Sequence, residues 1–295
     1  ETLNTDWLDL LCRDVFSHNH SLSISGGNES AKYYASFGYA NEEGMVKAAD
    51  FQRYTYTLGF DADINKWIKA NAKFSGTTSD RHVNGASLST AAAARPDIPA
   101  YNEDGSYYFY GKEPATNLGG AVVLNYNVFN ELAHSGSTQT VRSINTHVDV
   151  SYAAAPWLNL DLTLSYNTSS TLAETSYGER SFKVSTYRNT PYGFDRSSLS
   201  DSQLKNLREY TCLIPYGGIL NTSNDGNDAY MIRASFNANK MFNEVHSFSL
   251  TAGFEATSSK YKGYAREDWG YLPERGKKFV TLENLSDWPA AILAM

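Results

Sequence analysis

The residues Arg53-Tyr54-Thr55-Tyr56-Thr57-Leu58-Gly59-Phe60-Asp61-Ala62-Asp63-Ile64 change polarity at every step. Even positions carry Tyr, Tyr, Leu, Phe, Ala and Ile; odd positions carry Arg, Thr, Thr, Gly, Asp and Asp. Successive strand side chains point to opposite faces, so this run has one apolar and one polar face. Strands of soluble domains hold about 5–6 residues, whereas a strand that crosses a bilayer needs about 9–11. Strict alternation over this length predicts a stave of a membrane barrel wall.

The pattern recurs along the chain. One face collects Tyr33, Ala35, Phe37 and Tyr39 in 33–39, and Ile68, Ala70, Ala72 and Phe74 in 68–74. It collects Ile144, Val148, Val150 and Tyr152 in 144–152, and Leu158, Leu160, Leu162, Leu164 and Tyr166 in 158–166. Residues 230–238 and 248–256 repeat it, and Ser21–Ser25 is a shorter first strand. Every Lys, Arg, Asp and Glu within these segments falls on the other face. A Lys or Arg facing lipid at the midplane costs about 2–4 kcal/mol, so a lipid-facing wall demands this segregation. The 21 Tyr residues suit the aromatic girdles of such barrels. No apolar stretch approaches the ~20 residues of a spanning helix.

Connections give the second argument. Gly26-Gly27-Asn28-Glu29, Asn65-Lys66, Ala154-Ala155-Pro156 and 240–244 read as short hairpin turns. Longer connections are expected at roughly 78–141, 170–228 and 259 onward, with 41–51 as a short exception. Short periplasmic turns and long external loops are the pattern of outer-membrane barrels. The fold class expected is therefore all-β: an antiparallel transmembrane β-barrel of the cell outer membrane, partial, with about eight long strands of a larger barrel. The parity of the loops runs the first strand downward from the exterior, so residues 1–295 are expected to enter from an extracellular loop. Two alternatives remain open: a soluble or surface-anchored glycan-binding β-sandwich, and a small self-closed eight-stranded outer-membrane barrel of adhesin or enzyme type.

Net charge is −7 with no basic stripe, which argues against a nucleic-acid partner. Cys12 and Cys212 are equally compatible with one disulfide and with two free thiols. His18 and His20 share a strand face but lack a third ligand nearby in sequence, so no metal is expected. His147 and Asp149 read as polar lumen lining. No nucleophile, phosphate-loop or dinucleotide motif is present, and neither catalysis nor a cofactor is expected. The carboxylate pairs Asp61/Asp63 and Glu42/Glu43 do not change that. Aromatic residues cluster in the expected external loops: Tyr101, Tyr107, Tyr108, Phe109 and Tyr110, then Tyr177, Tyr187, Tyr192 and Phe194. Aromatic faces bury apolar area beside a polar rim, which suits sugar or peptide binding as well as loop packing. Tyr101, Tyr107, Tyr108, Tyr110 and Tyr177 are the candidate ligand-binding residues. Trp67 and Trp157 follow short turns, out of phase with the apolar face.

Three segments also carry a family resemblance. Asn4-Thr5-Asp6-Trp7-Leu8-Asp9-Leu10-Leu11, the stretch 18–77 with its SISGG and YYASFGY elements, and Ala94-Arg95-Pro96-Asp97-Ile98-Pro99-Ala100-Tyr101-Asn102-Glu103-Asp104-Gly105 resemble the SusC/RagA family of TonB-dependent outer-membrane transporters. The resemblance is strong over residues 1–110. It implies a plugged 22-stranded barrel, of which this chain would hold neither the plug, nor the TonB-contacting segment, nor the first strand, nor the C-terminal half. It implies import of oligosaccharides or peptides, a SusD-like surface lipoprotein as a lid, and energy from the TonB complex acting through the plug.

Overall fold

The computed structural model describes residues 3–84, 88–112, 124–188, 202, 214 and 216–280. Cys212, Tyr192 and Phe194 lie outside the described residues. One antiparallel sheet dominates. Its long strands are β1 (His18–Gly27), β2 (Ala31–Glu43), β3 (Asp50–Asp63) and β4 (Ile68–Asn84). A small hairpin, β5 (Tyr110–Lys112) and β6 (Leu124–Tyr126), stands apart from that sheet. The sheet continues through β7 (Ser135–Ala155), β8 (Leu158–Tyr177), β9 (Gly218–Phe242) and β10 (His246–Leu272), ending in the two-residue β11 (Lys278–Phe279). Each long strand pairs with its neighbour in sequence order. Among the described residues, short helices between or before the strands include α1 (Trp7–Leu11), α2 (Leu88–Ala93), α3 (Val128–His134) and α4 (Phe182–Arg188).

One dominant sheet whose eight long strands hold 10 to 27 residues, with no second large sheet packed on it among the described residues, rules out the sandwich. Among the described residues β1 pairs with β2 alone, and β10 with β9 and β11, so the sheet is open and the small closed barrel is not formed. The expected long connections need correction. Strands β4, β7, β8, β9 and β10 run well into the segments read as loops, to Asn84, from Ser135, to Tyr177, from Gly218 and to Leu272. Above the lipid level both strand faces are wet, so the alternation fades while the backbone ladder continues.

Tight turns form at all four places, but Gly26, Gly27, Ala154, Ala155 and residues 240–242 belong to the strands, which run further than read; two of the turns have a visible cause. The Asn28 side chain accepts from the backbone N–H of Ser30 and Ala31, and Asn65 accepts from those of Trp67 and Ile68. Such Asx turns close the chain on itself.

Strand register reveals the tilt. One hydrogen-bonded row runs Leu22, Phe37, Tyr56, Gly76, Ile144, Thr168, Asp228, Lys260. Leu22 stands five residues from the turn end of its strand at Gly27; Lys260 stands fourteen from His246. The row thus climbs nine residues over seven strand-to-strand steps, about 1.3 per step. With about 3.3 Å per residue and about 4.8 Å between strands, the strands tilt by about 40° from the barrel axis, as barrel closure requires. The row also begins apolar and ends charged. The apolar band therefore follows the level of the turns and not the hydrogen-bond rows, as a layer of lipid would impose. From Tyr54 on β3 to Ile64, just past its end, the band runs ten residue steps. At that tilt it is about 25 Å tall, the height of the outer-membrane apolar band.

The band's residues stay exposed on the chain itself, Leu22 at 73% and Phe254 at 65%. Its upper edge is marked by tyrosines: Tyr39 and Tyr54 have ring centroids 5.0 Å apart, and Tyr166 and Tyr230 4.8 Å. At the turn end the ammonium of Lys66 lies 5.0 Å from the Trp67 ring, and that of Lys240 5.4 Å from the Trp157 ring. Both tryptophans, although out of phase in sequence, thus sit in cation–aromatic pairs at the rim. Gly76 faces the Tyr56 ring so closely that a Cβ would collide with it, which lets that aromatic lie flat on the neighbouring strand.

The opposite face is laced by polar bonds. Thr163 donates to Asp149 at 2.6 Å, Ser151 to Asp161 at 2.6 Å, and Asn237 to Asp161 at 3.0 Å. Arg233 meets Glu255 at 2.6 Å, and His147 Nε2 meets Asp149 at 2.8 Å. His147 and Asp149 belong to this lining.

Candidate functional site

A layer of helices and loops lies at the end of the sheet away from the four tight turns, since α3 leads directly into β7 and α4 follows β8. Its first part is built by two segments distant in sequence. Asp6 caps α1 by accepting from Leu8 and Asp9 N–H. Trp7 then reaches across, its indole N–H donating to the Arg95 carbonyl at 2.9 Å. Thr5 donates through N–H to Pro96 and through Oγ1 to Ile98, both at 2.8 Å. The NTDW and ARPDIP motifs are therefore one clasp. They enclose a cluster of Trp7, Leu11, Ala100, Tyr126, Val128 and Phe129.

Past the clasp, residues 101–107 fold into a tight loop. Asp104 accepts from Ser106 N–H and Oγ, Asn102 donates to Ser106 Oγ, and Gly105 takes φ 81°, which a glycine adopts without strain. The loop brings Tyr101 and Tyr107 into a β-bridge with rings 5.9 Å apart. Asn127, wholly buried, fixes its base. Its Oδ1 caps α3 through Phe129 and Asn130 N–H, and its Nδ2 donates to the carbonyls of Ala100 and Tyr108 at 2.9 and 2.8 Å.

The second part is set by α4. Val184 packs with Ile214 and Ile219, against Tyr177 and Trp269. Tyr177, Ile219 and Trp269 are register partners on one row, and by parity they share the face of Asp161, Arg233 and Glu255. Helix α4 thus folds over the upper end of the polar face. Buried Arg188 locks it, bonding Glu179 at 2.8 Å and the carbonyls of Ile214 and Gly217 at 3.0 Å.

Between the two parts lies a cavity of about 870 Å³, lined by Tyr101, Gly105, Ser106, Tyr107, Phe109, Asn125, Asn130, His134, Arg180 and Ser185. Of the candidate aromatics, Tyr101 and Tyr107 line it. Burial, aided by Tyr107, pushes the Tyr101 phenol above its usual value. Tyr110 packs edge-on against Tyr126, Tyr177 belongs to the α4 cluster, and Tyr108 holds an exposed ring outside the cavity lining. Asn130, His134, Arg180 and Ser185 carried no signal in sequence; they come from α3, the β8–α4 link and α4. Behind the cavity Glu131, buried, accepts from Phe182 N–H at 2.8 Å and from Asn130 Nδ2, and burial raises its pKa. Burial lowers that of His134, whose Nδ1 lies 3.5 Å from Glu274.

Elsewhere, His20 stacks on Tyr39 and His18 lies tilted against it, and among the described residues no group of three or more His, Cys, Asp or Glu gathers as a metal site.

No protein-family model matches the chain. Over 104 residues, 35% of its length, the chain is 34% identical to TonB-dependent receptor P26 of Formosa agariphila. Over 114 residues it is 35% identical to TonB-dependent receptor SusC of Bacteroides thetaiotaomicron. These matches span only 10% and 11% of those relatives' own length. The fold superposes on the RagAB peptide transporter with a TM-score of 0.61 at 18% identity, over 90% of this chain and 27% of that one. The RagAB peptide importer in its closed-closed state gives 0.58 at 17% identity, over 90% and 30%. With the open, girdled wall, these likenesses show a partial β-barrel fold similar to that of SusC/RagA-type TonB-dependent transporters, of whose length the chain spans only a small part.

Proposed function

We propose that the whole protein imports a nutrient across the outer membrane at the expense of TonB-derived energy, and that residues 1–295 supply barrel wall and external loops to one barrel domain. The substrate is an oligosaccharide or a peptide. A SusD-like surface lipoprotein closes over the loop layer, and the TonB complex acts through a plug inside the barrel. The relatives named above support the transport class. The observation that carries the reading is the aromatic cavity above the polar face. Tyr101 and Tyr107 line it beside amide and hydroxyl groups of Asn125, Asn130 and Ser106. A ring face next to hydrogen-bonding groups is the common build of a small-ligand pocket. Helix α4 sets this pocket at the upper end of the face that lines the lumen, where an incoming ligand is first held. Tyr110 and Tyr177 hold the layer together, and Tyr108 offers its ring to the lid.

The test is uptake of labelled oligosaccharide and peptide pools by cells carrying the full-length transporter. Depletion of TonB should abolish uptake, and Tyr101→Ala should reduce it with normal amounts of barrel in the membrane. Unchanged uptake in the TonB-depleted cells would sink the energised-import reading.

A further inference from the structure

We propose that the outer wall binds a phosphorylated lipid of the outer leaflet. An acyl chain lies in a hollow across β7 to β10, and the phosphate sits above it, among Arg142, Lys260 and Lys262. Two hollows join on the lipid-facing side. In the lower one, of about 610 Å³, the small Ala234 lies between Leu162 and Phe254 in one row, and Ala252 beside Phe236 in the next. The upper one, of about 450 Å³, continues past Leu164, Ile232 and Ala256 to the stacked rings of Tyr166 and Tyr230. From Leu160 to Tyr166 the hollows cover six residue steps of β8, about 20 Å at about 3.3 Å per residue. Their length runs up the wall, as an acyl chain does.

The charge above the hollows decides the headgroup. Arg142 shares strand parity with Ile144, and Lys260 and Lys262 share it with Ala256, so all three point outward above the tyrosine edge. They are exposed and, among the described residues, hold no ion pair. One row runs Arg142, Ser170, Gly226, Lys262. Its two cations are three strand steps apart, about 14 Å, and the small Ser170 and Gly226 leave a recess between them. The carboxylates on that face have partners or stand higher. Asp228, the row partner of Lys260, accepts from Tyr166 Oη at 3.3 Å and Thr168 Oγ1 at 2.8 Å. Asp80 accepts from Thr140 at 2.6 Å, and Glu174 lies two outward steps above Ser170. Cations at the membrane surface attract anionic headgroups, and a guanidinium pairs with phosphate through two parallel bonds. The lysine stems can lie along the apolar wall while their ammonium groups reach the phosphate. A second copy of the chain fits this wall less well. A twofold axis along the membrane normal sets equal heights together, and so cations against cations.

The experiment is native mass spectrometry of the full-length transporter, stripped of lipid in a neutral detergent. The probes are lipid A, the same lipid freed of its phosphates, and inorganic phosphate as a competitor. Lipid A should bind about tenfold more tightly than its dephosphorylated form, and added salt should narrow that gap. Lys260→Gln together with Lys262→Gln should remove most of the gap while the dephosphorylated lipid still binds, which also shows that the barrel is folded. Arg142→Gln alone should narrow it. Ala234→Phe fills the lower hollow and should weaken both lipids, with the heat-dependent gel migration of a folded barrel unchanged. Equal binding of the two lipids, or a gap that survives the lysine pair, overturns the phosphate contact. Inorganic phosphate that displaces lipid A at equal concentration makes the recess an ion site and overturns the lipid assignment. Lipid affinities that Ala234→Phe leaves intact overturn the acyl hollow. A dimer that Ala234→Phe dissociates gives the hollow to a second copy and overturns the proposal as a whole.

Discussion

Tyr101 lies against Phe129 with ring centroids 5.2 Å apart and planes 25° from parallel. Phe129 in turn stacks at 6.3 Å on Trp7, so a cavity-facing ring is tied through two aromatics to the clasp near the start of the chain. The two positions should respond differently. Tyr101→Ala should weaken ligand binding about tenfold with little change in the loop layer's hydrogen exchange, since its outer face is wet. Phe129→Ala removes a buried ring and should cost about 3–5 kcal/mol locally. Exchange at residues 98–110 and 124–134 should rise together in that variant.

Asn127→Ala tests the polar pin beneath the same loop. The change removes a helix cap, about 1 kcal/mol, and takes a donor from the Tyr108 carbonyl, while that of Ala100 keeps the N–H of Tyr108. That loss inside the layer costs about 1–3 kcal/mol. The expected total is about 3 kcal/mol, read as faster hydrogen exchange over 100–108 with β3 and β4 unchanged.

The wall makes a parity prediction. Leu58 sits on the apolar face at mid-height between Tyr54 and Ile64, and its neighbour Thr57 on the polar face. Leu58→Arg should destabilise the folded barrel by about 2–4 kcal/mol, and Thr57→Arg by less than about 0.5 kcal/mol. Urea titration of the full-length barrel in lipid vesicles measures both. Equal costs would mean that the two faces see the same environment.

Glu131 and His134 sit one turn apart on α3 with opposite shifts. Glu131, raised by burial, contributes stability below its ordinary value of 4.5 that is lost as pH rises through the raised one. His134, lowered by burial against the opposing pull of Glu274, contributes stability above 6.5 that is lost as pH falls through the lowered value. Glu131→Gln, which keeps an acceptor for Phe182 N–H, should protect α3 more at pH 8 than at pH 4. His134→Gln should flatten the loss of protection between pH 7 and pH 5. Exchange of residues 128–134 at four pH values checks both signs.

Much of the wall was legible from residue order because its cause is local. Alternation in 53–64 or 158–166 names the lipid face directly: side chains reverse at each step, and hydrocarbon tolerates no charge. Asn28 and Asn65 announced their turns for the same reason, each closing on the next few residues. The upper reaches of β9 and β10 were not legible. Asp225, Asn227, Lys260 and Lys262 put polar groups on both faces where no lipid sorts them, and only the register with β8 and with each other makes these segments strands. The cavity was half legible. The loop 101–107 advertised its aromatics, but the partners that turn them into a site, Asn130, His134 and Arg180, lie some 20 to 80 residues further on and follow no periodicity. Sequence by itself determined which face meets lipid and which end carries the turns, because both follow from the period of a strand in a two-phase solvent. Tertiary structure alone decided how far the strands climb, how they tilt and what surrounds Tyr101, because these depend on pairing and packing between segments that no local rule connects.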